Sequence, residues 1–197
     1  MSKADPEASK RERNKTIRWV VTIFLVTIFV SGIISLVSDE VMAHSGLVVA
    51  FVILLVIILI GVIFDIIGMA VATADEKPFH SMAARKVPGA QEAISLLRNA
   101  ERVSSICNDV VGDICGVVAG SASATVAAQL IGKLSFSWPA LISLLLSALV
   151  AGLTVGGKAI GKTFAVNSCT TIVYSVGKII YTLRNFFKIF SGKKAKK

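Results

Sequence analysis

Charge is scarce in this sequence. Only 17% of its 197 residues are Asp, Glu, Lys or Arg, against 54% hydrophobic ones, and the mean hydropathy is +0.77. Soluble domains carry charge on about a quarter of their residues, spread over the surface. Here the charges stand in blocks between apolar runs, which excludes an ordinary water-soluble domain. Histidine is rarer still: His44 and His80 stand alone in predicted loops and read as solvated residues. The three cysteines, Cys107, Cys115 and Cys169, have no metal-type pairing, and they read as small buried side chains. No nucleophile–base pair points to an enzyme. The net charge of +9 lacks the interleaved aromatics of a nucleic-acid surface, so nucleic acid is not an expected partner.

What is present is a set of long apolar runs. Residues 1–16 form a polar, basic segment expected to be a disordered arm. The run 17–37 opens on Arg18 and Trp19 and has the ~20 residues that span a hydrocarbon core of ~30 Å. A cleaved signal peptide is the rival reading, but its apolar core is usually shorter, about 7–15 residues. Further spans are expected at about 47–74, 103–131 and 140–165, with Trp138 as an interfacial anchor. Between the second and third, residues 79–101 show broken helical periodicity around Pro88-Gly89. They predict juxtamembrane amphipathic helices. Residues 167–190 predict one more amphipathic helix, followed by a basic tail at 191–197. Lys and Arg cluster before the first span, between the second and third, and after the fourth, while the other two loops hold only Lys133. The positive-inside rule then places both termini in the cytoplasm. The expected fold is an all-α integral membrane protein of the cell membrane, multi-pass, with four transmembrane helices and cytoplasmic juxtamembrane helices.

The third span carries the candidate chemistry. Every fourth residue gives a small stripe, Asn108, Gly112, Gly116, Gly120, Ala124 and Ala128. Beside it runs a polar one, Asp109, Asp113, Val117, Ser121, Thr125 and Gln129. Small stripes ordinarily serve helix packing. Carboxylates within a span cost roughly 2.5–3.5 kcal/mol each, unless a cation, a proton or water meets them. Asn108, Asp109 and Asp113, with Asp65 of the second span, are therefore candidate ligands for a hard divalent cation such as Mg²⁺. Gly156-Gly157 and Gly161 are candidate helix breaks that would expose backbone carbonyls. Lys158 either snorkels to the cytoplasmic surface or pairs with Asp109 or Asp113.

These residues carry a resemblance. The segment Gly157-Lys158-Ala159-Ile160-Gly161-Lys162-Thr163-Phe164-Ala165 resembles the G-E-x-I/V-P-K-x-x-A pattern that ends the last span of the CorC/CorB (cyclin M, CNNM) magnesium-transport family. Cys107-Asn108-Asp109-Val110-Val111-Gly112 is similar to that family's G-N-x-L-V-N. Gly89 to Ala93 and Glu101-Arg102 resemble its juxtamembrane entry. The likeness covers roughly residues 64–183. It implies a homodimer with a membrane-embedded Mg²⁺ site, of which Asn108 is the ligand-type residue retained, and it makes 17–37 an additional helix before a CorC-like domain at 47–190. The departures are specific: the family's glutamate is Lys158, its proline is Gly161, its earlier acidic residue falls at Met69 with Asp65 one turn away, and its CBS domains do not follow. Two readings result. One is a divalent-cation (Mg²⁺/Co²⁺) transporter-like protein in which Asp65, Asp109 and Asp113 replace the missing acid. The other is a non-transporting membrane scaffold or regulator in which Lys158 replaces the cation.

Overall fold

The computed structural model describes residues 6–134 and 138–192, and all of its elements are helices. In chain order they are α1 (Pro6–Ala43), α2 (Leu47–Thr73), α3 (Lys77–Ala84), α4 (Ala90–Arg98), α5 (Ala100–Ser105), a π-helical stretch (Ile106–Gly112), α6 (Asp113–Leu134), α7 (Pro139–Asn167) and α8 (Cys169–Gly192). Four segments are long and apolar enough to cross a membrane: Ile17–Met42, Leu47–Thr73, Ala100–Lys133 and Pro139–Asn167. Large apolar side chains stand exposed along α1, α2 and α7, among them Phe24, Phe29, Leu36, Val48, Leu59, Leu144 and Ile160. In water such a surface would drive aggregation. Against lipid tails it costs nothing.

The helix boundaries correct several expectations. The basic segment at 1–16 is not an irregular arm throughout, because α1 begins at Pro6. Proline suits the first helical position, and the following Glu, Ala, Lys and Arg are good helix formers. Continuity with the apolar span also removes the cost of nucleating a separate helix. Residues 1–5 and the basic tail from 193 onward lie outside the described residues. The first span outruns 37 and reaches Met42, leaving only a short link before α2. His80 lies in α3 rather than in a loop, and both histidines are exposed beside a glutamate one turn away, Glu40 and Glu76. The break at Pro88-Gly89 occurs as expected. Gly89 there adopts φ +89, a left-handed conformation that favours glycine.

No break occurs at Gly156-Gly157 or Gly161, since α7 is one uninterrupted helix. These glycines instead let α7 approach α2. A Cβ on Gly157 would lie 3.1 Å from Val62, and one on Gly161 would lie 2.7 Å from Ile66. The irregular backbone is in the third span, at the π-helical stretch.

Helix α2 is the hub, packing on α6, α7, α8, α5 and the π-helical stretch. Two apolar clusters form along it. One joins Met42, Ala50, Leu54 and Ile58 to Ala119, Ala122, Val126 and Val150. The other gathers the ends of α2 and α7 with the short helices: Ala70, Val71, Phe79, Ala93, Ile94, Leu97, Ala165 and Val173. Helices α3, α4 and α8 thus make a collar at one end of the bundle. Between the clusters, on α2, lies a short polar layer that contains Asp65.

Candidate functional site

The layer is built by three antiparallel or parallel neighbours at matched depth. Asp65 lies eight residues before Thr73, the end of α2, and Lys158 lies nine before Asn167, the end of α7. At 1.5 Å per residue both stand roughly 12–14 Å from the collar end of their helices. The Lys158 ammonium lies 3.5 Å from Asp65 Oδ1 and donates a hydrogen bond to the carbonyl oxygen of Gly112 at 3.3 Å. Asp65 is 4% exposed, so this lysine is its charge partner in an otherwise apolar interior.

The π-helical stretch delivers the backbone oxygen. In such a stretch hydrogen bonds run i→i+5, and the widened turn re-aims backbone carbonyls. Gly112 is buried, and a Cβ there would meet Asp65 Oδ1 at 3.1 Å and Lys158 Nζ at 3.2 Å. Its bareness leaves the space that the ion pair fills. One turn toward the collar, Asn108 Nδ2 donates to Ser104 Oγ at 3.2 Å, while Asn108 Oδ1 is buried with no hydrogen-bond partner. That oxygen presses on Gly68 of α2, where no Cβ would fit.

The expected ligands therefore separate. Asp65 is buried and matched by Lys158. Asp109 and Asp113 are exposed. The Asp109 carboxylate accepts a hydrogen bond from Ser105 Oγ at 2.8 Å and borders an open hollow of about 480 Å³ with Glu101 and Ser104. Lys158 pairs with neither of them, and it does not snorkel out: its partners are Asp65 and Gly112. Among the described residues no group of three His, Cys, Asp or Glu side chains is arranged to hold a metal. With Lys158 in place, Asp65 is the one carboxylate of the layer and its charge is already balanced. This donor set does not fit a divalent cation, which wants several oxygens and uncompensated negative charge. Of the motif residues, Lys162 is exposed and Gly157 and Gly161 serve the α2–α7 contact.

The polar stripe of the third span has a second use. Thr125 Oγ1 donates to Asp39 Oδ1 at 3.4 Å, and Gln129 Nε2 donates to the carbonyl of Met42 at 2.6 Å. Both partners are in α1, so the stripe's far end docks the first helix. Cys107 is buried and Cys115 partly so, and Cys115 Cβ lies where a Cβ on Gly61 would have to go.

No family model, no curated protein and no solved structure matches this chain.

Proposed function

We propose that this chain is a multi-pass membrane protein, with both termini cytoplasmic, whose bundle is held together by an internal ammonium at the position a bound cation would take. The observation that carries this reading is the Lys158 ammonium between Asp65 Oδ1 at 3.5 Å and the Gly112 carbonyl at 3.3 Å. A carboxylate and a carbonyl facing one space form a cation site by their chemistry, and a covalently attached cation fills it. A filled site of this kind favours a non-transporting scaffold or regulator over a conduit. The resemblance to the CorC/CorB family supports the same picture, because the charge-reversed residue Lys158 is the one that occupies the layer. The collar of α3, α4 and α8 would lie at the cytoplasmic membrane face.

A second reading, divalent-cation transport, draws support from Asn108, whose Oδ1 is buried and unpartnered one turn from the layer. It requires the lysine to leave. One experiment separates the two: Mg²⁺ entry into liposomes loaded with a Mg²⁺-sensitive dye, for the native chain and for Lys158→Glu. The expected result is no flux through the native chain and Mg²⁺-dependent thermal stabilisation of Lys158→Glu, whose two carboxylates then share the layer. Mg²⁺ flux through the native chain would overturn the tether reading.

A further inference from the structure

A second polar feature lies where α1 meets α5. Arg102 places its guanidinium over the Trp19 ring, 5.6 Å from the centroid. Arg18, Trp19, Thr22 and Arg102 together line an open hollow of about 310 Å³. Trp19 and Arg18 open the apolar span Ile17–Met42, and Arg102 is near the start of the span Ala100–Lys133. This hollow thus sits at the depth where an indole settles, between headgroups and hydrocarbon. No carboxylate lines it, and among the described residues neither arginine forms an ion pair with Asp or Glu. The contrast with the hollow between α4 and α8 is direct: there Glu92 faces Arg184 at 3.9 Å, so the basic charge is already answered.

Two guanidiniums lining one hollow with no carboxylate between them leave a basic site open to an anion. Guanidinium forks match phosphate oxygens in pairs, and the Thr22 hydroxyl supplies one further donor. We infer that this hollow binds the phosphate of an anionic phospholipid headgroup, held by Arg18 and Arg102 against Trp19. The inference uses the membrane reading alone and is independent of what occupies the Asp65 layer. It also gives the first helix a task beyond spanning, since α1 brings Arg18, Trp19 and Thr22 to a site that α5 completes with Arg102.

The test uses Trp19 as its own reporter. Trp138→Phe leaves Trp19 as the single tryptophan, because the chain has 2. The full chain is reconstituted in phosphatidylcholine vesicles that contain a minority of phosphatidylglycerol, with bromine placed near the glycerol end of the chains of one lipid or the other. Quenching by brominated phosphatidylglycerol is expected to report a local excess of about fivefold or more over its bulk fraction, the scale of one basic side chain at an anionic surface. Arg18→Gln/Arg102→Gln should lower the excess to the bulk value, whereas Arg18→Lys/Arg102→Lys, which keeps the charges, should retain part of it. Equal quenching by the two brominated lipids in the parent would overturn the proposal, as would an unchanged excess in the double Gln variant. A free-phosphate arm separates the sources. If millimolar inorganic phosphate produces the Trp19 response in pure phosphatidylcholine vesicles and abolishes the excess in mixed ones, the site takes a soluble phosphate and the lipid assignment fails.

Discussion

Replacing Lys158 by Met removes the ammonium and keeps most of the side-chain volume, so it isolates the charge. The magnitude follows from geometry. At 3.5 Å and an effective dielectric of about 20, the attraction between Lys158 and Asp65 is roughly 5 kcal/mol before desolvation is counted. Most of that gross value is offset by the cost of bringing both ions out of water. Removing one partner does not recover the other's desolvation cost. Asp65 is short and 4% exposed, so it has no route to water. The expected loss for Lys158→Met is therefore about 3–5 kcal/mol, the range for an uncompensated buried charge.

The converse change is cheaper. In Asp65→Asn the lysine keeps the Gly112 carbonyl, and its flexible stem lets the ammonium shift toward the interface. A loss of about 1–2 kcal/mol is expected, comparable to a hydrogen bond involving a charged group. The double variant Lys158→Met/Asp65→Asn leaves no ion in the layer and should resemble Asp65→Asn alone. The cycle thus closes with a coupling equal to the Lys158→Met loss, about 3–5 kcal/mol. Reversible unfolding in bicelles titrated with a denaturing detergent, followed by far-ultraviolet circular dichroism, measures all four corners. A coupling below about 0.5 kcal/mol, with Lys158→Met as stable as the parent, would refute the tether.

The spans were legible because hydropathy over some twenty residues is set by the bilayer, not by tertiary detail. The expected spans agree with the four apolar helices to within a few residues at most ends, and Pro88-Gly89 is the break it announces. The pairing of Lys158 was legible in part. Spans two and four run the same way, so the depths of Asp65 and Lys158 could have been compared by counting from the helix ends. The pair is obscured by the more conspicuous acids Asp109 and Asp113, which share the third span with Asn108. The stripes misled for a geometric reason. A strict four-residue step overruns a turn of 3.6 residues, and the π-helical stretch shifts the register again. Asn108 and Gly112 do face α2, but Gly120, Ala124 and Ala128 have rotated to the exposed side, and nothing lies within 4 Å of a Cβ on Gly116 or Gly120. Nothing in the letters Ile106 to Gly112 marks the π-helical stretch, since its hydrogen-bond shift depends on the packing of the whole bundle.

Further substitutions probe the close approaches, with an open position as the control. Gly89→Ala combines a left-handed φ of +89 with a Cβ 2.7 Å from the Lys178 backbone, so it should loosen α4 from α8 at a cost of about 1–3 kcal/mol, read as faster amide exchange in both helices. Gly120→Ala meets open space and should be neutral or stabilising by up to about 1 kcal/mol through helix propensity, measured in the same detergent titration. Gly68→Ala is the informative one. Its Cβ would overlap Asn108 Oδ1 and stand 2.8 Å from Asn108 Cγ and 2.9 Å from Cys107 Cβ, so overpacking of about 1–3 kcal/mol is expected. Asn108→Ala removes the first two obstacles, a weak bond to Ser104 and an acceptor that is buried without a partner. Alone it should cost under about 1 kcal/mol, because deleting an unsatisfied buried group returns its desolvation penalty. Combined with Gly68→Ala it should recover most of the loss, leaving only the Cys107 contact. If Asn108→Ala instead destabilises the chain more than Gly68→Ala does, Asn108 Oδ1 holds something in the membrane. A Mg²⁺ dependence of that loss would then favour the transport reading over the tether.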